Sequence, residues 1–207
     1  MEHVDKKLNT PNEKNSETKE STKVVLSYLH DLVCLIAAVM LLFSFCFRVV
    51  VVSGPSMNNT LYDGDGLLVL GRVFYTEPKA GDVVVISKKT FDNGTPIIKR
   101  VIATEGQEVN IDFELGVVYV DGVPQKEDYT LAPTYYQDKA NGMEFPLVVD
   151  KGCVFVMGDN RNMSKDSRSN DIGLIDEREI LGKAIFLFFP GANNGRRDIT
   201  RIGVLSK

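Results

Sequence analysis

Three short segments of this chain hold side chains able to do chemistry together. The first, Val52-Ser53-Gly54-Pro55-Ser56-Met57-Asn58-Asn59-Thr60-Leu61, displays Ser56 just past a Gly-Pro turn, with apolar Met57 and Leu61 nearby. Such a hydroxyl becomes a nucleophile when a neighbouring base takes its proton, although the same composition also makes an ordinary turn. The second, Pro96-Ile97-Ile98-Lys99-Arg100-Val101-Ile102, reads as a strand. At a period of two, Lys99 shares a face with Ile97 and Val101, and Arg100 shares the other with Ile98 and Ile102. A lysine flanked by apolar side chains loses solvation, which disfavours its ammonium form and lowers its pKa. A fall from about 10.4 to about 7 to 8 takes roughly 4 kcal/mol and leaves a neutral amine that can act as a general base. An edge strand with both charges in solvent fits the same letters.

The third segment, Gly158-Asp159-Asn160-Arg161-Asn162-Met163-Ser164-Lys165-Asp166-Ser167-Arg168, leaves the apolar run at 153–157. Its paired charges and hydroxyls suit a shell that holds an active site in place, or else a plain solvated loop. A calcium loop counted from Asp159 needs Gly at position six and Glu at position twelve, where this chain has Ser164 and Asn170.

Other chemistries are narrowed by absences. The two histidines, His3 and His30, both precede residue 31, so a His-based triad or a His-rich metal site has almost nothing to draw on. Cys34 and Cys46 fall in an apolar run, which leaves Cys153 alone beyond it, with no CxxC spacing. A net charge of −4 without a long basic run gives no footprint for nucleic acid. No metal or nucleotide cofactor is implied.

The elements that must position these residues follow from a chain that changes character along its length. At 207 residues there is room for one ordinary domain with an appendage. Residues 1–23 are polar, with five lysines, and read as a mobile tail. Residues 24–52 read as a membrane anchor. Leu32 to Phe47 holds no charged side chain, and the count to Val52 reaches twenty-one residues with Arg48 near the end, where it can snorkel to the headgroups. The run is apolar all round, unlike a core helix, and bulky residues follow it where signal cleavage needs small ones. Lys14, Lys19 and Lys23 precede it and only Arg48 follows closely, which puts the N-terminus in the cytoplasm. Residues 53–207 form the extracytoplasmic part, with the first strand overlapping the end of the anchor. Apolar β-branched or aromatic runs at 49–53, 66–74, 82–87, 96–103, 108–112, 116–122, 153–158 and 183–189 predict strands. Asp121-Gly122 predicts a hairpin turn, and 176–181 a helical turn. The expected fold is mainly β, tethered by one N-terminal helix.

Serine, lysine and late loop, in this order behind one anchor, resemble the bacterial type I signal peptidases. Ser56-Met57-Asn58-Asn59-Thr60-Leu61 matches the family's S-M-x-P-T-L at all fixed positions but one, and Lys99-Arg100-Val101-Ile102 matches its K-R-V-I. Gly158 to Arg168 matches G-D-N-R-x-x-S-x-D-S-R at all eight fixed positions, the most specific of the three. Gly81-Asp82-Val83-Val84-Val85 and Gly182-Lys183-Ala184 agree as weaker boxes. The likeness runs from about residue 49 to about residue 190.

The resemblance implies a signal-peptidase-like β catalytic domain and a serine endopeptidase that removes signal peptides from exported preproteins at the membrane surface. It implies Ser56 as nucleophile, Lys99 as base, and Ser164 as the hydroxyl orienting the lysine. Asp159 would pair with Arg100, and Asp166 with Arg168. Val52, Met57, Leu61 and Ile98 would line pockets for the Ala-x-Ala residues before the cleaved bond. Three positions depart from the pattern. Asn59 replaces a proline, Ala103-Thr104-Glu105-Gly106-Gln107 replaces a Gly-x-Pro-Gly-Asp turn, and Gly54 stands where some members carry an oxyanion-binding serine. A catalytically idle peptide-binding assembly factor on the same fold is the alternative reading.

Overall fold

The computed structural model of the chain describes residues 11–193 and 195–205. The chain divides into two compact units, Met1–Phe45 and Cys46–Lys207.

The first unit is dominated by α1 (Pro11–Cys46). Within it Thr22–Cys46 is the one helix among the described residues long and apolar enough to cross a membrane. Its 25 residues rise about 37 Å at 1.5 Å each, against roughly 30 Å of hydrocarbon. Leu29, Val33, Ile36, Met40 and Phe43 are all exposed, which suits lipid and not a protein core. The helix fits a single-pass membrane protein.

Both ends of this helix differ from the sequence reading. It already includes residues 11–23, part of the stretch expected to be a mobile tail, because extending a formed helix is far easier than nucleating one. Residues 1–10 of that stretch lie outside the described residues. At the other end α1 stops at Cys46, and Phe47–Val51, counted above as part of the anchor, form a strand. Arg48 sits opposite Val69 in a β-ladder and does not close the helix. The run of valines is as apolar as a membrane span, but β-branched side chains favour an extended backbone.

The strands are β1 (Phe47–Val51), β2 (Gly66–Gly71), β3 (Val83–Ile86), β4 (Ile97–Thr104), β5 (Glu108–Asp112), β6 (Val117–Val120), β7 (Val123–Pro124), β8 (Leu147–Val148), β9 (Cys153–Met157), β10 (Ile175–Asp176), β11 (Ile180–Phe189), β12 (Ala192–Asn193), β13 (Arg196–Arg197) and β14 (Gly203–Val204). All eight runs expected to be strands are present. The main sheet has the order β1-β2-β11-β3-β4-β9-β10, with β14 also on β11, and every pair is antiparallel. A second sheet, β7-β6-β5-β8, follows β4 in the chain. Asp121 and Gly122 close its β6–β7 hairpin with positive φ of 52° and 74°, as a two-residue turn of this type requires. In 176–181 only Glu177–Glu179 is helical, one 3-10 turn capped by Asp176.

The position of β4 decides what its side chains experience. It lies between β3 and β9, so it is not an edge strand, and six consecutive residues, Ile98 to Ala103, are buried. One core cluster gathers Val52, Met57, Leu61, Leu67 and Ile98; a second holds Val84, Val101, Val156 and Ile180; a third joins the sheets through Ile102, Val109, Val118 and Phe155.

Candidate active site

Ser56 stands on a loop built to hold it. Val52 N–H donates to the Asp65 carbonyl and Gly64 N–H to the Val52 carbonyl, closing the loop at its base. Inside it the Met57 carbonyl accepts from the N–H groups of Thr60 and Leu61, both at 2.9 Å. Met57 and Leu61 are fully buried in the first core cluster, so their apolar side chains pull the turn down and leave Ser56 half-buried at its crest.

Lys99 reaches this serine from β4. Its Nζ donates to Ser56 Oγ at 2.9 Å and to the Ile98 carbonyl at 3.0 Å. Only 3% of the residue is exposed, and no carboxylate lies within ion-pair distance among the described residues. Burial pushes its pKa from 10.5 down to about 8; the charges of Asp166 and Asp159 oppose that fall and Arg168 adds to it. Arg100, the next residue, is equally buried but fully paired. Its Nε and Nη2 donate to the two oxygens of Asp159, and its Nη1 to the Gly81 carbonyl. One strand therefore presents a compensated cation beside an uncompensated one.

The late loop is fastened internally and to the serine loop. Asp166 accepts from Arg168 Nε and Nη2 and from the Gly158 N–H. Burial alone would raise this carboxyl, but the Arg168 charge and hydrogen bonds win and hold it below the usual range. Asn160 donates its backbone N–H to the Ser56 carbonyl at 3.0 Å and its side-chain Nδ2 to the Pro55 carbonyl at 3.1 Å. A Cβ on Gly158 would lie 2.4 Å from the Ser56 carbonyl oxygen and 2.2 Å from Ser164 Oγ, so glycine alone lets the two loops approach this closely.

The geometry brings Ser56 against Lys99, Arg100 against Asp159 and Asp166 against Arg168. Ser164 differs in detail. Its Oγ is buried beside Gly158 and helps to hold the Asp166 carboxyl down, whereas the two bonds from Lys99 go to Ser56 and to Ile98. Of the four pocket residues, Val52, Met57 and Ile98 line a cleft of about 80 Å³ together with Ser56 and Lys99. Leu61 lies beneath it in the core. A roomier hollow of about 380 Å³, lined by Tyr136, Asp138 and Lys165 among others, touches Ser164 and Asp166 but neither Ser56 nor Lys99.

Several supporting residues were not singled out from sequence. Thr60 Oγ1 donates to Asp159 Oδ2 at 2.5 Å, which ties the serine motif to the late loop. Lys183 pairs with buried Asp82 at 2.7 Å, joining the two weaker boxes. Thr60, Asp82 and Lys183 lay within matched motifs, yet these contacts were not apparent. Tyr129 stacks on Arg100, 4.0 Å from guanidinium carbon to ring centre, and Glu127 pairs with Arg161; no pattern in 125–130 announces either.

The departures also find their structural terms. Thr104 N–H donates to Gln107 Oε1, and the Gln107 N–H returns to the Thr104 carbonyl, so the turn after β4 closes without proline. Gly54 N–H donates to Asp63 Oδ1 at 2.8 Å and is therefore occupied.

Fold and site define a mainly β protein with one apolar helix, in which a buried lysine is held against a half-exposed serine. Residues 25–189 match the family described as "Signal peptidase, peptidase S26", and the chain belongs to this family. It is by family a signal peptidase, a hydrolase of peptide bonds. It is 38% identical over 173 residues to a probable signal peptidase I-1 of Synechocystis, covering 80% of this chain and 82% of the relative. It is also 36% identical over 188 residues to signal peptidase I T of Bacillus subtilis, covering 86% and 94%. A crystal structure of a signal peptidase I from Enterococcus faecalis matches at 26% identity over 52% of this chain and 97% of that one, with a TM-score of 0.41.

Proposed function

We propose that this chain is a membrane-anchored serine endopeptidase that cuts N-terminal signal peptides from exported preproteins after an Ala-x-Ala sequence, with Ser56 and Lys99 as its catalytic pair. The observation that carries the reading is the 2.9 Å contact between Ser56 Oγ and a lysine amine whose burial lowers its pKa to about 8.

When Lys99 is neutral its lone pair accepts the Ser56 proton, and Oγ attacks the scissile carbonyl carbon. The resulting ammonium gives a proton to the departing amine as the C–N bond breaks, which leaves an acyl-enzyme. Neutral Lys99 then takes a proton from water, whose oxygen adds to the acyl carbon; as the bond to Oγ breaks, the Lys99 ammonium returns a proton to Oγ, and the new acid leaves as its carboxylate with loss of its own proton to solvent. The Ser56 backbone N–H is a suitable oxyanion donor, whereas the occupied Gly54 N–H is not. The small cleft formed by Val52, Met57 and Ile98 with the catalytic pair suits short side chains before the cut bond.

A span over Thr22–Cys46 tethers the chain to the membrane in which signal peptides lie, and Ser56 follows it in the chain by ten residues. The lysines at 14, 19 and 23, against Arg48 alone just beyond the span, support a cytoplasmic N-terminus and an extracytoplasmic β unit.

The test is cleavage of a signal peptide by the purified protein in detergent or phospholipid, with Ser56→Ala and Lys99→Ala alongside and the products identified by mass. Cutting after Ala-x-Ala that vanishes in both variants supports the reading. A wild type that binds the peptide without cutting it would support the idle peptide-binding factor instead.

A further inference from the structure

Past residue 189, where the family match ends, the chain folds back onto the serine loop. β14 pairs with β11, Val204 opposite Phe186 and Gly203 opposite Leu187, and Leu205 packs against the cluster of Val52, Met57 and Leu61. Between β13 and β14 a 3-10 turn, Ile199–Arg201, is capped by Asp198. From its end Arg201 reaches inward. Its Nη1 donates to Asp65 Oδ1 at 3.0 Å, and its Nη2 donates to Asp65 Oδ2 at 2.6 Å and to the Thr60 carbonyl at 3.1 Å. The guanidinium also stacks 4.4 Å from the centre of the Tyr62 ring.

Asp65 is fully buried. Besides Arg201 it accepts from the N–H groups of Tyr62 and Gly191, at 2.8 and 2.7 Å. A buried carboxylate of this kind needs a charged partner and filled lone pairs, and Arg201 supplies the only cation paired with it among the described residues. Thr60 is gripped from both sides, its carbonyl by Arg201 and its hydroxyl by Asp159. Asp159 in turn holds Arg100, the neighbour of Lys99. The contacts run from the C-terminal segment to the serine loop and to the residue next to Lys99.

We propose that Arg201 is a positioning residue which, through Asp65 and Thr60, keeps the Ser56 loop in register with Lys99, so that residues 199–205 act as a strap across the nucleophile loop. Arginine suits the role because its planar fork meets both oxygens of Asp65 and still has a donor for a third acceptor. The proposal rests on Ser56 being the nucleophile. Arg201 touches no reacting atom; its removal acts by letting the Thr60–Asp65 turn shift, and displacements near 1 Å remote from the chemistry are enough to cost on the order of 10²-fold in rate.

The experiment compares full-length wild type, Arg201→Met and Arg201→Lys in detergent, by signal-peptide cleavage kinetics and by hydrogen exchange of residues 54–65. At a temperature where all three remain folded, Arg201→Met lowers kcat by about tenfold or more while KM stays within about twofold. Arg201→Lys recovers part of the loss, since an ammonium still pairs with Asp65. Exchange in Arg201→Met quickens at 57–65 and stays unchanged in β3, β4 and β9. An unchanged kcat overturns the proposal, as does a loss of protection spread over the whole main sheet. Should the wild type fail to cut, the nucleophile reading falls by itself, and exchange decides the strap: local quickening at 57–65 upholds the tie, and unaltered protection there removes it.

Discussion

Arg100 grips Asp159 by both carboxylate oxygens, Nε to Oδ1 at 2.9 Å and Nη2 to Oδ2 at 2.7 Å, with both side chains buried. This fork joins β4 to the late loop one residue from Lys99. Taking away one partner of a buried ion pair leaves the other charge uncompensated, at a cost of about 3–5 kcal/mol. Asp159→Ala is therefore expected to lose stability of about that size in urea unfolding, together with cleavage activity. The loss should exceed that of Lys126→Ala, which breaks a solvent-exposed pair with Asp128 and should leave the unfolding midpoint close to that of wild type. Equal effects from the two substitutions would contradict the structural role given to the fork.

Activity should follow the protonation of Lys99. With a pKa of about 8, roughly a tenth of the molecules carry the neutral amine at pH 7, and kcat/KM rises about tenfold per pH unit below 7 before levelling above 9. A pH–rate profile of peptide cleavage measures this directly. A flat profile between pH 6 and 9 would rule out Lys99 as the titrating base.

The same shift has a thermodynamic consequence. Lys99 binds its proton more weakly folded, at about 8, than unfolded, at 10.5. Below pH 8 both states are protonated and the fold bears the whole penalty of a buried charge, about 3 kcal/mol. As pH rises from 8 to 10.5 the folded state sheds the proton first and stability climbs. Lys99→Met keeps the stem and removes the charge, so it should be inactive yet more stable than wild type by up to about 3 kcal/mol at pH 7. The gap should narrow steadily towards pH 10.5. Chemical unfolding of both proteins at pH 7 and pH 10 checks it; a gap that widens with pH contradicts the buried-cation account.

The strands were readable from sequence because β-branched runs bounded by Gly, Asp and Pro encode them locally, and the hairpin at Asp121-Gly122 was readable for the same reason. Lys99 and Arg100 were recognisable as a functional pair, but which of them is compensated depends on Asp159, 59 residues away. Distance in the chain explains most of what was missed. Thr60 meets Asp159 across 99 residues and Arg201 meets Asp65 across 136, and no local period marks either pairing. The end of α1 was misplaced for another reason. Residues 47–52 are apolar, and apolarity is common to a membrane helix and to a strand that covers a core. The backbone preference of the valines decides between them, and the length argument for a membrane span ignored it.

Gly158 offers the sharpest test of how closely the two motif loops must meet. An added Cβ would come to 2.2 Å from Ser164 Oγ, 2.5 Å from Ser164 Cβ and 2.4 Å from the Ser56 carbonyl oxygen. A serine side chain can rotate away, but the carbonyl cannot retreat easily because Asn160 N–H holds it at 3.0 Å. Gly158→Ala must then push Ser56 itself, and with it the 2.9 Å contact to Lys99. Overpacking of this kind costs about 1–3 kcal/mol, and a shift of the nucleophile near 1 Å lowers kcat on the order of 10²-fold. Adding Ser164→Gly to this variant frees the side-chain clash and leaves the carbonyl clash in place, so it should restore part of the stability and little of the rate. Thermal unfolding and cleavage kinetics on the single and double variants separate the two contacts. Full recovery of kcat in the double variant would mean that Ser164, and not the backbone of the nucleophile, sets the need for glycine.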